Sequence, residues 1–477
     1  MLWIALHLPD LPLAVFARAD ASESPAVTAS ASHRPDVIVA NLAARRRGVA
    51  NGMSIAAALA LDPEIVIHLR DERAEAAAIE SIAMWAGQWS STVAIEPPGC
   101  ALMEISGALR YFGGLERLIP RLRSGLVDLG FAAVIAVAPT AGAASLLARD
   151  GREAAIEAIE AVEGALSPLR VDLLAQTRAA LPTLAGIGVE SIGQLLALPR
   201  DGVARRFGQA LLDEIDRALG RMADARSLFV APERYEGQLE LPAPVEEAEA
   251  LLFGARRLIA GLCGFLLGRG AGVTRLRFDL VHEDASPTAI VVGLKATRHV
   301  EHIMTVLRER LARERLPDRV EAIRLASEEI APLPGKDGDF FAAEKNAEAG
   351  TQLIERLCAR LGDDAVRTLA LRVDHRPERA WRWGPTANLE TAAANKTDGA
   401  SPHPVRPLWL LPEPRALAAG LAEAALDLES GPERIEGGWW DGQDIGRDYF
   451  VGRNERGEAL WLFRDRRGQW FVHGVFA

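Results

Sequence analysis

IEPPGCALMEISGALRYFGG, residues 95–114, is the stretch on which the reading of this chain turns. Ala101 to Ile105 has the length and apolar content of a buried strand, and Ser106-Gly107 closes it. A second apolar patch, Tyr111-Phe112, is stopped by Gly113-Gly114. The strand is headed by Gly99-Cys100, and Glu104 stands toward its other end. Glycine offers no side-chain ligand, and a lone thiol is a soft ligand that suits zinc rather than magnesium.

On the N-terminal side, Leu2 to Leu8 reads as a strand, followed by a turn in which Asp10 sits between Pro9 and Pro12. Val37 to Ala40 is a short strand leading into NLAARRRGVANGMSIAA, residues 41–57. Glu72 to Trp89 has helical periodicity, with Ile79, Ile82, Ala86 and Trp89 on one face. On the C-terminal side come a helix near Leu115 to Leu129, a strand from Ala132 to Ala138, and PTAGAASLLAR at residues 139–149. LPTLAGIGVESIGQLL, residues 181–196, is a helix-hairpin-helix signature in which Gly186 and Gly188 permit a tight turn. Such a turn either offers backbone amides to a DNA phosphate or simply packs two helices. Gly202 to Leu219 reads as one helix with Val203, Phe207, Leu211, Ile215 and Leu219 as its stripe, flanked by Arg205 and Arg206.

These segments, in this order, resemble the Y-family (translesion) DNA polymerases. Residues 99–104 are similar to the palm motif S-I-D-E-A-F-L-D-V-T, with the Asp-Glu pair falling on Gly99 and Cys100. Residues 41–55 resemble the fingers motif S-Y-E-A-R-x-x-G-V-x-x-G-M-P-L, which places Arg45 at the triphosphate-gripping arginine and Leu42 at the tyrosine. The first metal aspartate of the family falls within Leu6 to Asp10, where Asp10 is the one acid and reads first as a solvated turn residue. Residues 139–149 resemble G-I-A-x-N-K-x-L-A-K, with Asn-Lys on Ala144 and Ser145, and no Lys-Pro follows. Nucleotidyl transfer needs carboxylates that hold two divalent metals. The resemblance therefore implies a retained scaffold with its chemistry removed, and no cofactor or metal. Asp10, Glu96 and Glu104 are the displaced carboxylates that an active enzyme would use instead.

Beyond the hairpin, residues 239–330 read as one α+β unit: a helix from Val245 to Leu267, strands Thr274–His282 and Thr288–Leu294, a helix from Val300 to Arg313 and a strand at Ala322–Ala326. It resembles the little-finger domain, with Arg275, Arg277, Lys295 and Arg298 as a candidate DNA face. Phe340-Phe341 stands where related proteins carry a clamp-binding Q-L-x-L-F motif. Thr351 to Arg360 reads as a short helix. The tail, GPERIEGGWW at 431–440 followed by three short strands, holds Trp439, Trp440, Tyr449, Trp461 and Trp470 as candidate partner-binding aromatics, with most rings of so small a domain expected to fill its core and a few to serve as exposed anchors. Active Y-family enzymes lack this tail. With it, the chain resembles the noncatalytic Y-family-like proteins of bacterial mutagenesis cassettes. That resemblance implies an adaptor between the sliding clamp, a RecA-like protein and an error-prone C-family DNA polymerase, holding primer-template DNA weakly. An active translesion polymerase and a DNA-independent scaffold are the alternatives.

The expected architecture is α+β and multidomain. Its parts are palm and fingers at 1–165 (fingers about 20–70), thumb at 166–230, little finger at 236–331, a connector at 332–383, a linker at 384–407 and a β-rich domain at 408–477. Length alone allows roughly three domains at ~150 residues each for the 477 residues. The net charge of −11 opposes general DNA affinity, but Leu251 to Arg315 holds 11 basic against 6 acidic residues, a local excess of 5. Cys100, Cys263 and Cys358 show neither paired spacing nor a CxxC, which suits a reducing cytoplasm. The apolar start lacks a basic flank and is broken by Pro9 and Pro12, so it reads as a strand and turn rather than a signal peptide. No run looks long enough to span a bilayer, and no membrane partner is expected.

Overall fold

Alternation decides the first strand. In β1 (Trp3–His7), Ile4 and Leu6 are buried on one side and Trp3 and Ala5 on the other. A strand apolar on both faces belongs at the centre of a covered sheet. The computed structural model describes residues 1–17, 24–333, 342–385, 406–417 and 426–476, in two compact units, Met1–Arg360 and Leu361–Ala477.

After β1 the chain turns at Pro9-Asp10 into α1 (Leu11–Ala17). A small fingers-like insertion follows: β2 (Ala26–Ala29), β3 (Val37–Ala40), α2 (Leu42–Arg46), α3 (Ile55–Leu61) and β4 (Val66–Leu69), with the strands in the order β3-β2-β4. Asn41 and Ser54 start its helices, each side chain accepting a backbone N–H three residues on. The chain returns to the palm through α4 (Glu72–Ala86), the hairpin β5 (Val93–Glu96) and β6 (Cys100–Glu104), α5 (Leu109–Phe112), α6 (Leu115–Asp128) and β7 (Val134–Ala138). The palm sheet is antiparallel in the order β5-β6-β1-β7, a split βαβ arrangement with α4 and α6 packed on one face. Ile4, Leu6 and Met103 are fully buried there, each worth about 1.5–3 kcal/mol against chain entropy.

The other face carries α7 (Ala141–Arg149) and the thumb helices α8 (Val162–Leu166), α9 (Leu181–Gly186), α10 (Ile192–Leu196), α11 (Arg200–Phe207) and α12 (Gln209–Ala218). The single helix expected over Gly202–Leu219 is two, because Gly208 at φ 93° breaks it while the apolar stripe runs on.

The next domain begins with a strand that the sequence reading missed. β8 (Glu236–Val245) precedes α13 (Ala248–Gly268), β9 (Ala271–His282), β10 (Thr288–Thr297), α14 (Val300–Leu311) and β11 (Val320–Pro332), with sheet order β10-β9-β11-β8. The span from Ala250 to Gly268 does have the length and apolarity of a membrane crossing, contrary to the expectation. Leu258, Ile259, Leu262 and Leu266 are instead buried in the core of this domain, as in the central helix of a globular unit. α15 (Ala342–Leu361) is twice the length expected from Thr351–Arg360.

In the second unit, β12 (Arg367–Leu371) pairs with β13 (Trp381–Pro385) as a hairpin. The tail is a five-stranded antiparallel sheet rather than three short strands. It is built from β14 (Trp409–Ala416), β15 (Leu426–Gly437), β16 (Ile445–Asn454), β17 (Ala459–Asp465) and β18 (Trp470–Val475), in the order β14-β18-β17-β16-β15. Arg376, only 2% exposed, joins the hairpin to this sheet through Asp374 at 2.7 Å and Asp441 at 2.8 Å. Most of the expected 384–407 linker lies outside the described residues.

Candidate functional site

Register brings together the palm positions singled out in the sequence. His7 on β1 faces Cys100 on β6, Cys100 faces Glu96 on β5, and the Leu8 amide donates to the Gly99 carbonyl at 2.8 Å. The hairpin that carries them turns through Pro97-Pro98 and through Gly99 at φ 62°. Burial pushes the Cys100 thiol up to about 12, with the Glu96 charge adding to it, so the sulfur stays protonated at neutral pH. Burial, then Arg149, lowers the pKa of His7, whose Nδ1 is enclosed without a protein partner.

Glu96 is the one carboxylate on this rung, and it is occupied. Ser145 Oγ donates to it at 2.5 Å, and Arg226 pairs with its other oxygen while also holding Asp224 at 2.8 Å. Asp10 pairs with Arg45 at 3.0 Å, with both side chains about half exposed. Glu104 accepts the amides of Leu2 at 3.3 Å and Ser106 at 3.0 Å. Although burial opposes it, Ser106 and Leu2 hold that carboxyl below its ordinary range. Glu104 pairs with Trp3, four residues along β6 from Cys100, which is about 13 Å of strand. The three acids therefore do not converge, whereas two-metal chemistry needs ions about 4 Å apart.

The residues on this rung do not fit a hard divalent metal ion. A hard divalent ion wants a shell of oxygens, and the rung offers an imidazole, a protonated thiol, a glycine and one carboxylate already engaged by Ser145 and Arg226. Among the described residues no group of three His, Cys, Asp or Glu side chains is placed to hold an ion.

The candidate DNA-facing residues fall in two places. At the thumb hairpin, Gly186 ends α9 and Gly188 turns at φ 76°. The amides of Ile187, Gly188 and Val189 already donate to carbonyls of Leu184 and Ala185, and those of Glu190 and Ser191 to Gln194 Oε1. Arg205 and Arg206 are exposed on α11. On the open face of the second sheet, Arg275 and Arg277 stand opposite buried Leu276 and Phe278, as alternation predicts. Arg324 of β11 faces Asp279 across the ladder and donates to Gln238 at 3.0 Å, a third arginine that sequence reasoning did not single out. Arg275 is paired with Glu328 at 2.7 Å and Arg277 with Asp279 at 2.9 Å, so the face is basic but neutralised. Lys295 is exposed, while Arg298 is half-buried and donates to the Leu333 carbonyl at 3.3 Å.

Phe340 and Phe341 lie outside the described residues. In the second unit, Trp439 and Trp440 are 77% and 57% exposed and meet edge to face at 5.5 Å, with Arg376 5.6 Å above the Trp440 ring. Tyr449 and Trp461 require correction as surface anchors. Both are buried, stacked at 4.1 Å, because a five-stranded sheet this small needs its largest rings for its core. Trp470 is half-buried against Phe450.

Fold and rung define a Y-family polymerase-like protein, α+β throughout, with an added β-rich tail. The profile of the impB/mucB/samB family matches residues 11–149. Over 462 residues the chain is 30% identical to Protein ImuB from two strains of Caulobacter vibrioides, covering 90% of this chain and 100% of that protein. The chain belongs to the ImuB family. Among solved structures it is similar to the insertion ternary complex of Dbh DNA polymerase, at 17% identity and a TM-score of 0.41 over 70% of this chain and 100% of that one. It is also similar to DinB from Sulfolobus solfataricus, at 17% identity and a TM-score of 0.39 with the same coverage.

Proposed function

We propose that this protein is a noncatalytic adaptor in DNA-damage mutagenesis, working in the cytoplasm. It joins the sliding clamp, a RecA-like protein and an error-prone C-family polymerase at damaged DNA, and that polymerase performs the synthesis. Membership of the ImuB family and the polymerase-like fold support the mutagenesis role. One observation carries the noncatalytic part: His7, Gly99 and Cys100 occupy the palm rung, and its remaining acid is bound to Ser145 and Arg226. The exposed arginine face supports weak DNA holding, and the Trp439–Trp440 loop supports partner binding. Clamp binding rests on Phe340-Phe341 in the sequence.

The test is capture of the purified clamp and C-family polymerase by the full chain. It is repeated with Phe340→Ala/Phe341→Ala and with a chain ending at Arg360, which removes the whole second unit. Loss of clamp in the first variant and of polymerase in the second is expected. Capture of neither by the unaltered chain, or magnesium-dependent primer extension by it, overturns the reading. A DNA-independent scaffold is favoured by one observation, the internal use of every amide from Ile187 to Ser191. Absence of primer-template binding at low salt would select it.

A further inference from the structure

The segment from thumb to little finger, residues 224–235, is fastened at every few residues. Arg226 pairs with Glu96 and with Asp224. Leu228 bridges Ala94, and the Phe229 amide donates to the Val93 carbonyl at 2.7 Å, so the connector extends the palm sheet along the open edge of β5. The Phe229 side chain packs against the cores of both the palm and the second sheet domain. Arg269, just past α13, donates to the carbonyls of Ala231 and Pro232. The Tyr235 amide then reaches Ser327 Oγ on β11 at 2.8 Å.

The charged end of this fastening is the palm rung itself. Glu96 gathers three elements that are far apart in sequence: its own strand β5, α7 through Ser145, and the connector through Arg226. Glu96 and Arg226 are 22% and 23% exposed, so solvent screens the pair only in part. Each oxygen of Glu96 thus already has a partner, Ser145 on one and Arg226 on the other.

We infer that Glu96, Ser145 and Arg226 form an interdomain latch: the last carboxylate of the polymerase rung clamps the connector to the palm and sets the position of the second sheet domain. Glu96 and Arg226 are positioning residues, and Ser145 orients Glu96 from the helix that covers the rung. The inference stands apart from the adaptor reading, because it concerns how the frame is held and not what binds to it.

The test is amide exchange across residues 222–235 of the full chain, in Glu96→Gln, in Arg226→Met and in the charge exchange Glu96→Arg/Arg226→Glu. Each single variant is expected to speed exchange in this segment about ten-fold, and the exchanged pair to recover most of the loss. Ser145→Ala, the mildest change, is expected to give a smaller rise and remains informative where a charge variant does not fold. Unaltered exchange in the folded variants overturns the latch. So does a magnesium-dependent slowing in the unaltered chain that Glu96→Gln abolishes, because Glu96 would then be a metal ligand.

Discussion

His7 and Cys100 stand directly opposite one another on neighbouring antiparallel strands, on the rung that also carries Glu96. With the imidazole lowered and the thiol held near 12, the two form no thiolate–imidazolium pair at neutral pH. Cys263 is likewise buried and pushed up to about 12, whereas Cys358 is partly exposed. Of the three cysteines, the native protein should expose at most one to a thiol reagent near pH 8, and all three in denaturant. Rapid native modification of Cys100 would show that the rung is open.

Restoring the acids should not restore synthesis. Gly99→Asp/Cys100→Glu supplies two carboxylates, but His7 and Leu42 remain and Glu96 is still bound to Arg226. The new glutamate also enters a fully buried position beside Glu96, at a cost of about 3 kcal/mol or more. The expected result is a less stable protein without primer extension. Robust magnesium-dependent extension by this variant would contradict it.

Two glycines should respond to alanine with opposite signs. Gly264 of α13 lies against Trp85 of α4, and a Cβ there would also come within 2.8 Å of Gln88 Nε2. A Cβ on Gly268, one turn further along, would come within 2.8 Å of the Gly87 backbone, so the two helices cross where only glycine leaves room. Alanine at Gly264 should cost about 1–3 kcal/mol despite its better helix propensity. Gly202 of α11 has open space at the same position, and alanine there should stabilise by about 0.5–1 kcal/mol. Thermal melting distinguishes them. Equal shifts would mean that propensity, not close approach, governs α13.

Why some of this was legible in the sequence and some was not follows from range. The palm strand and the alternation of Arg275 and Arg277 are local patterns, and the structure keeps them. β8 was missed because Pro242 and Pro244 argue against a strand, yet it lies at the sheet edge, where proline is tolerated. The partners of Glu96 lie 49 and 130 residues away, and Asp441 lies 65 from Arg376, separations that no window of sequence relates. Arg376 itself sits in a polar R-P-E-R run that reads as surface, and only its partners show why it is buried. Tyr449 and Trp461 look the same in sequence as Trp439 and Trp440. The sheet pairing alone decides which rings turn inward.

The arginine face gives a prediction with two signs. Arg275→Ala/Arg277→Ala should weaken primer-template binding about ten-fold and reduce the salt slope by roughly 1–2. Removing the acids that neutralise them, Glu328→Gln/Asp279→Asn, should strengthen binding. Titration across ionic strengths checks both. No effect of either pair would assign the face to solvent.

The second unit should lose stability on mild acidification. His473 is buried among Tyr449, Trp461 and Phe463, with Nδ1 at 2.7 Å from the Tyr449 hydroxyl and Nε2 enclosed 3.8 Å from Glu378. Burial lowers its pKa from 6.5 to about 4. Between those values the unfolded chain binds a proton that the folded one does not, so stability falls as pH drops from about 6.5 towards 4, by about 3 kcal/mol in all. Asp374, held well below the ordinary carboxylate range by Arg376, adds a loss of the same sign at still lower pH. All tryptophans except Trp3, Trp85 and Trp89 lie in this unit, so their fluorescence reports its unfolding. Denaturant midpoints should fall between about pH 7 and about pH 4.5, and His473→Phe should flatten that slope while Arg447 still donates to Tyr449 at 3.1 Å. A slope unchanged by the substitution would mean that the proton is taken up elsewhere.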